Sequence, residues 1–251
     1  MAGHSKWAGI KHKKAVVDAQ RGKVFSKVIK ELTAAARLGG GSPDANARLR
    51  LAMVKAKDAN VPKDSVEKAI KRGTGELPGL AYEEMTLEGY GPGGVAILVE
   101  ALTDNKNRTS AELRSIFANH QGHLAGAGSV SWIFQKKGQV TLNAQGLTED
   151  RLLEIVLEAG AEDLRMEGGQ AAVTASPHAL EAVKHALQGA SIAWESADLT
   201  MVPSTTVRVA DRPPAKALLE LLDLLEEHED TQHVYANFDI PDEILAEHAA
   251  G

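Results

Sequence analysis

Lysine and arginine crowd the front of the chain, and their spacing is what could do chemistry. Lys6, Lys11, Lys13 and Lys14, with His12 among them, are followed by Arg21, Lys23 and Lys27. Residues 1–72 hold 17 Lys and Arg against 6 Asp and Glu, a net charge of +11. The rest of the chain holds 11 basic and 28 acidic side chains, a net of −17. Positive charge gathered on one segment of an otherwise acidic chain suits a polyanion, and nucleic acid is the commonest one. The chemistry would be electrostatic, driven by the counterions released as phosphates are neutralised. Trp7 stands between Lys6 and Lys11, where its ring can stack on an unpaired base or pack on the protein. The candidate nucleic-acid contacts are therefore Lys6, Trp7, Lys11, His12, Lys13, Lys14, Arg21, Lys23 and Lys27.

A second candidate is the polar run Asp104, Asn105, Lys106, Asn107 and Arg108, followed by Thr109. It joins the end of a strand to a helix. Such residues serve equally as a recognition loop or as plain turn and capping chemistry.

The elements that must position these groups follow from periodicity. Val24, Phe25, Val28, Ile29 and Leu32 form one apolar stripe of a helix that starts near Ala19 and ends at Gly39–Gly41. Ser42-Pro43 reads as the capped start of a second helix, with Leu49, Ala52, Met53 and Ala56 inside. Val61-Pro62 starts a third, and the glycines from Gly73 to Gly79 read as a linker. The pattern then changes to mixed strands and helices. Strands are expected over 82–90, 95–102 and 129–134. Thr109-Ser110-Ala111-Glu112 reads as a capping box for a helix reaching about His120. From 136 to 202 the order is strand, helix, strand, strand, helix, strand, that of a ferredoxin-like unit. A leucine-rich helix, Pro213–His228, and a strand, His233–Phe238, remain. Neither can bury its surface alone, so they are expected to return and complete the 79–135 segment.

The expected fold class is α+β: an N-terminal helical bundle followed by two ferredoxin-like α+β domains, the last inserted into the middle one. The boundaries are 1–78, 79–135 with 203–240, and 136–202.

Other chemistries find little support. Cysteine is absent, which removes disulfides, thiolate metal sites and cysteine nucleophiles. His120 and His123 straddle Gly122, and the other histidines are scattered, so no metal or cofactor is expected. The glycine-rich run 89–94 precedes a strand and lacks a following Gly-Lys-Ser/Thr, so it reads as a hairpin turn; Gly122–Gly128 reads as a connection. No apolar run approaches a membrane span, and the basic N-terminus is not followed by a signal-like apolar stretch, which points to the cytoplasm.

Several motifs, in order along the chain, resemble the YebC/PmpR family. They are Gly3-His4-Ser5-Lys6-Trp7, Lys11-His12-Lys13-Lys14, Arg21-Gly22-Lys23, Leu38-Gly39-Gly40-Gly41, Gly89-Tyr90-Gly91-Pro92-Gly93-Gly94, Asp104-Asn105-Lys106-Asn107-Arg108-Thr109, Val202-Pro203-Ser204 and Val234-Tyr235. One departure is His123-Leu124-Ala125-Gly126-Ala127-Gly128, where an Asn-Leu-Gly start is expected. The resemblance implies a three-domain, non-enzymatic regulator of gene expression that binds DNA. The alternative, implied by other members, is a ribosome-associated translation factor binding ribosomal RNA. The acidic α+β domains are left to face the ribosome or other protein partners. An enzyme with a site marked by Asp104, Asn105 and Asn107, or a scaffold for an acidic protein, are the readings from other classes.

Overall fold

The computed structural model describes residues 18–250, and side chains over 22–248. The first three helices are α1 (Asp18–Gly39), α2 (Ala47–Asp58) and α3 (Lys63–Thr74). Their shared core is small: Leu32, Ala35, Ala36, Leu49, Ala52, Ala56 and Ala69 are buried. Alanine predominates because the helices approach closely. The stripe expected on α1 is displaced toward its C-terminal half, since Val24 is 41% exposed while Leu32, Ala35 and Ala36 are enclosed.

Two expectations are corrected here. α2 is capped by Asn46, not Ser42: the Asn46 side chain accepts from the Leu49 N–H at 3.0 Å. Its amide also donates to the Ala35 and Gly40 carbonyls, both at 2.8 Å, so one asparagine satisfies groups of two helices. Residues 43–45 form only a turn. Gly73 belongs to α3, not to a linker. A Cβ on Gly73 would lie 2.4 Å from the Thr33 carbonyl and 2.7 Å from Ala36 Cβ, which is why α3 can cross α1 so closely. Gly73→Ala is therefore expected to lower stability by about 1–3 kcal/mol through overpacking, despite alanine's higher helix propensity. Thermal unfolding with equal or raised Tm would contradict this.

The next segment contains β1 (Glu83–Gly91), β2 (Val95–Thr103), α4 (Lys106–Asn119) and a two-residue strand, β3 (His123–Leu124). α4 begins at Asn105, whose side chain accepts from the Arg108 N–H at 3.1 Å. The expected capping box at Thr109 is thus displaced: Thr109 lies inside the helix and is fully buried. The expected strand 129–134 is instead a single 3-10 turn, Ser131–Ile133, leading into β4 (Phe134–Asn143). The loop before it is organised by Glu88. Its carboxylate accepts from the N–H groups of Gly128, Val130 and Ser131 at 2.7, 2.6 and 2.9 Å. Burial alone would raise the Glu88 pKa; those three donors outweigh it and hold the carboxyl below its usual range.

α5 (Glu149–Glu158), β5 (Ala161–Glu167), β6 (Gln170–Ala175), α6 (Leu180–Gly189) and β7 (Ser196–Pro203) follow. Their antiparallel sheet has the order β5-β6-β4-β7, the ferredoxin-like arrangement. The chain then gives β8 (Val207–Arg208), α7 (Arg212–Glu227), β9 (Thr231–Ala236), β10 (Phe238–Asp239) and α8 (Asp242–Ala250). β9 pairs with β2, completing a second antiparallel sheet of order β3-β1-β2-β9. The α+β class holds throughout. The middle sheet is wired differently from its neighbour, with two strands preceding its first helix. β3, β8, β10 and α8 are too short or too weakly patterned to have been read from sequence. The main core lies on one face of the middle sheet, where Val95, Ile97 and Val99 of β2 meet Leu113 and Phe117 of α4 and five leucines of α7.

Candidate nucleic-acid interface

Lys6, Trp7, Lys11, His12, Lys13 and Lys14 lie outside the described residues, and Arg21 is described only as backbone in α1. Lys23 and Lys27 are described, and the fold brings them together with Lys30. The spacings of four and three residues put all three on one face of α1. That face meets residues 226–230, where α7 ends and β9 begins. Lys23 pairs with Glu227 at 3.2 Å. Lys27 donates to the Glu226 carbonyl at 2.5 Å. Lys30 donates to the Glu229 carbonyl at 3.2 Å and to Asp230 at 2.5 Å. The end of a helix carries partial negative charge, so carbonyls and carboxylates act together on these lysines.

Asp230 is the hub of this contact and is fully buried. Besides Lys30, it accepts from Arg108 at 2.9 Å, Thr109 at 2.7 Å and Thr103 at 3.2 Å. Burial pushes its pKa up, but the donors, Lys30 first, outweigh that and hold it well below the usual carboxylate range. The same pairing holds the Arg108 guanidinium more firmly charged.

The polar run after β2 is largely taken up by these bonds. Arg108 bridges Asp104 and Asp230, both at 2.9 Å. Lys106 pairs with Glu83 at 2.6 Å, and Asn105 is the helix cap. Asn107 is exposed in the first turn of α4. The observed bonds are the helix cap from Asn105 and ion pairs that hold Lys106 and Arg108 within the fold. Positive charge without an ion pair to any described residue is found instead on Lys57, Lys68 and Lys71, all exposed. Lys68 and Lys71 share one face of α3 at a spacing of three. Those residues were visible as outer-face lysines, but nothing in the sequence told them apart from Lys23 and Lys27.

Between α1–α2 and the middle sheet lies a cleft of about 740 Å³. Arg48 crosses it, pairing with Glu31 at 2.7 Å and with Glu84. Glu100 lines the sheet side and accepts from the Tyr235 hydroxyl at 3.2 Å; burial pushes its carboxyl pKa up. His233 stacks on Tyr235 with ring centroids 5.9 Å apart. It keeps an exposed edge, yet the walls crowd the ring. That burial, with the Lys55 charge second, pushes its pKa down to about 4. Sequence reasoning missed this cleft because its walls come from segments some 200 residues apart.

Two family models match the chain over most of its length. Residues 5–76 match the N-terminal domain of the TACO1/YebC protein, and residues 82–238 match its second and third domains. The chain belongs to the TACO1/YebC family. A family relative from Syntrophobacter fumaroxidans, named a probable transcriptional regulatory protein, is 55% identical over 245 residues, covering 98% of each chain. One of the same name from Carboxydothermus hydrogenoformans is 53% identical, covering 96% of this chain and all of its own. The family resemblance extends to a solved structure, a conserved hypothetical protein, Aq1575, from Aquifex aeolicus. It superposes with a TM-score of 0.79 at 47% identity, covering 92% of this chain and 96% of that one.

Proposed function

We propose that this protein is a non-enzymatic regulator of gene expression that binds nucleic acid through its basic N-terminal segment, acting on DNA in transcription. The observation that carries the reading is the charge of +11 on residues 1–72 set against −17 on the remainder. Relatives matched over nearly their whole length are named probable transcriptional regulatory proteins, which supports the regulatory part of the reading. Because Lys23 and Lys27 are engaged with the end of α7, the phosphate contacts fall first to Lys6, Lys11, Lys13 and Lys14, with Lys57, Lys68 and Lys71 on the bundle as further cationic support. The acidic sheets carry the like charge that keeps a polyanion on the basic side.

Changing Lys11, Lys13 and Lys14 together to Ala should weaken binding to unrelated duplexes alike. It should also flatten the slope of log K against log salt by about 2–3. An unchanged slope would show that these lysines do not meet phosphates. Crosslinking in cells, followed by sequencing of bound DNA and RNA, separates the targets. Promoter fragments support transcription. Ribosomal RNA would replace it with the translation reading, and recovery of neither would remove both.

A further inference from the structure

We propose that the cleft between α1–α2 and the middle sheet is a binding site for an unpaired nucleotide of a single-stranded nucleic acid. The proposal deepens the nucleic-acid reading above and rests on it. The volume of about 740 Å³ falls in the range of small-molecule sites, about 300–1,000 Å³. The walls divide by chemistry. Val24, Val28 and Leu51 from the bundle and Met85 from β1 make an apolar side. Val24 and Leu51 stay 41% and 61% exposed there. Apolar side chains left wet at the mouth of a cavity are suited to cover the face of a base.

The polar side carries four basic side chains, Lys27, Arg48, Lys55 and Lys136, against three carboxylates, a small positive excess. Three carboxylates line the cleft, and all are engaged: Glu31 and Glu84 by Arg48, and Glu100 by the Tyr235 hydroxyl. Lys55 and Lys136 also line it and form no ion pair with a described residue. The Gln232 side-chain amide nitrogen is sheltered from solvent in the same wall and donates to nothing. A sheltered donor without an acceptor is a cost the fold tolerates where a ligand supplies the acceptor. The ligand must therefore bring negative charge, an acceptor and a flat, weakly polar body. A nucleotide has all three, and a base can enter such a space only when it is unpaired. An acidic peptide would satisfy the lysines but leave the apolar wall wet.

The test compares a short oligothymidylate, a duplex of the same length and an abasic oligomer, each binding the full chain. Lys55→Gln with Lys136→Gln should weaken the oligothymidylate about tenfold and leave the duplex unchanged. Leu51→Asn, which alters no charge on an exposed position, should weaken the oligothymidylate about fivefold and leave the abasic oligomer unchanged. Light-induced crosslinking of an oligomer carrying 5-bromodeoxyuridine should mark Met85 or His233. Equal losses on single strand and duplex, or no loss at all, would overturn the proposal while leaving the polyanion reading intact. Displacement of the oligomer by polyglutamate at matched charge would assign the cleft to acidic peptides and overturn it likewise. Binding of neither strand form by the unaltered protein would instead sink the nucleic-acid reading itself.

Discussion

Asparagine in place of Asp230 is expected to destabilise the protein by about 3–4 kcal/mol. Asp230 is fully buried and accepts from Lys30, Arg108, Thr103 and Thr109. The substitution keeps the shape but removes the charge, so Lys30 and Arg108 lose their shared counterion and one acceptor site becomes a donor. The effect should be strongest where α1 meets the rest of the protein, because Lys30 is anchored there. Acid supplies an independent check. The folded carboxyl titrates below its ordinary value of 3.8. Its contribution is therefore complete above that value and is lost as pH falls through it toward the folded pKa. Urea midpoints should drop steeply below about pH 4 in the unaltered protein and much less in Asp230→Asn. Parallel acid slopes in the two proteins would show that the charge on Asp230 is not what the fold relies on.

Ending the chain after Ser204 is expected to abolish the middle sheet while sparing the sheet of β4 to β7. α7 supplies Leu218, Leu219, Leu221, Leu222 and Leu225 to the main core, and β9 adds Val234 and Ala236. Each buried leucine contributes about 1.5–3 kcal/mol. Their joint loss matches or exceeds the 5–15 kcal/mol that holds a domain together. Val95, Ile97 and Val99 would then face water on one side of β2. By contrast, the sheet of β4 to β7 has its own enclosed core, in which Val140, Leu142, Leu152, Val156, Val173, Val183 and Leu187 meet. Residues 134–203 expressed alone should unfold cooperatively, and the truncated chain should show exchange protection only there. Protection retained over 83–103 in the truncated chain would contradict the division.

The β4–β7 unit was legible because its four strands and two helices have distinct periods and a local order. The return of α7 and β9 was legible for another reason: a helix carrying so many leucines must have something to cover. The helix starts were not. Ser42-Pro43 and Thr109-Glu112 carry sound capping chemistry, but Asn46 and Asn105 win through bonds to groups distant in sequence or buried. Asn46 reaches the Ala35 and Gly40 carbonyls, and moving the start of α4 to Asn105 puts the Thr109 hydroxyl on Asp230. The basic segment was legible as a charge but not as a surface. Lys23, Lys27, Lys68 and Lys71 look alike along a helix, and only the arrival of α7 separates those that hold the fold from those that face water.

The two passages into the sheet of β4 to β7 have a mechanical consequence. Phe134 and Pro203 are paired across the ladder that joins β4 to β7, and β4 runs unbroken from the edge of one core into the next. The junction is therefore a double-stranded ribbon, stiff against bending in its plane, rather than two slack tethers. The bundle, by contrast, is joined through the single irregular stretch 76–82 and ion pairs, Lys23 to Glu227, Lys30 to Asp230 and Arg48 to Glu84. A force on the bundle would therefore meet least covalent resistance at that stretch. The two sheets, tied through paired strands, should resist displacement relative to each other more than the bundle resists displacement relative to them.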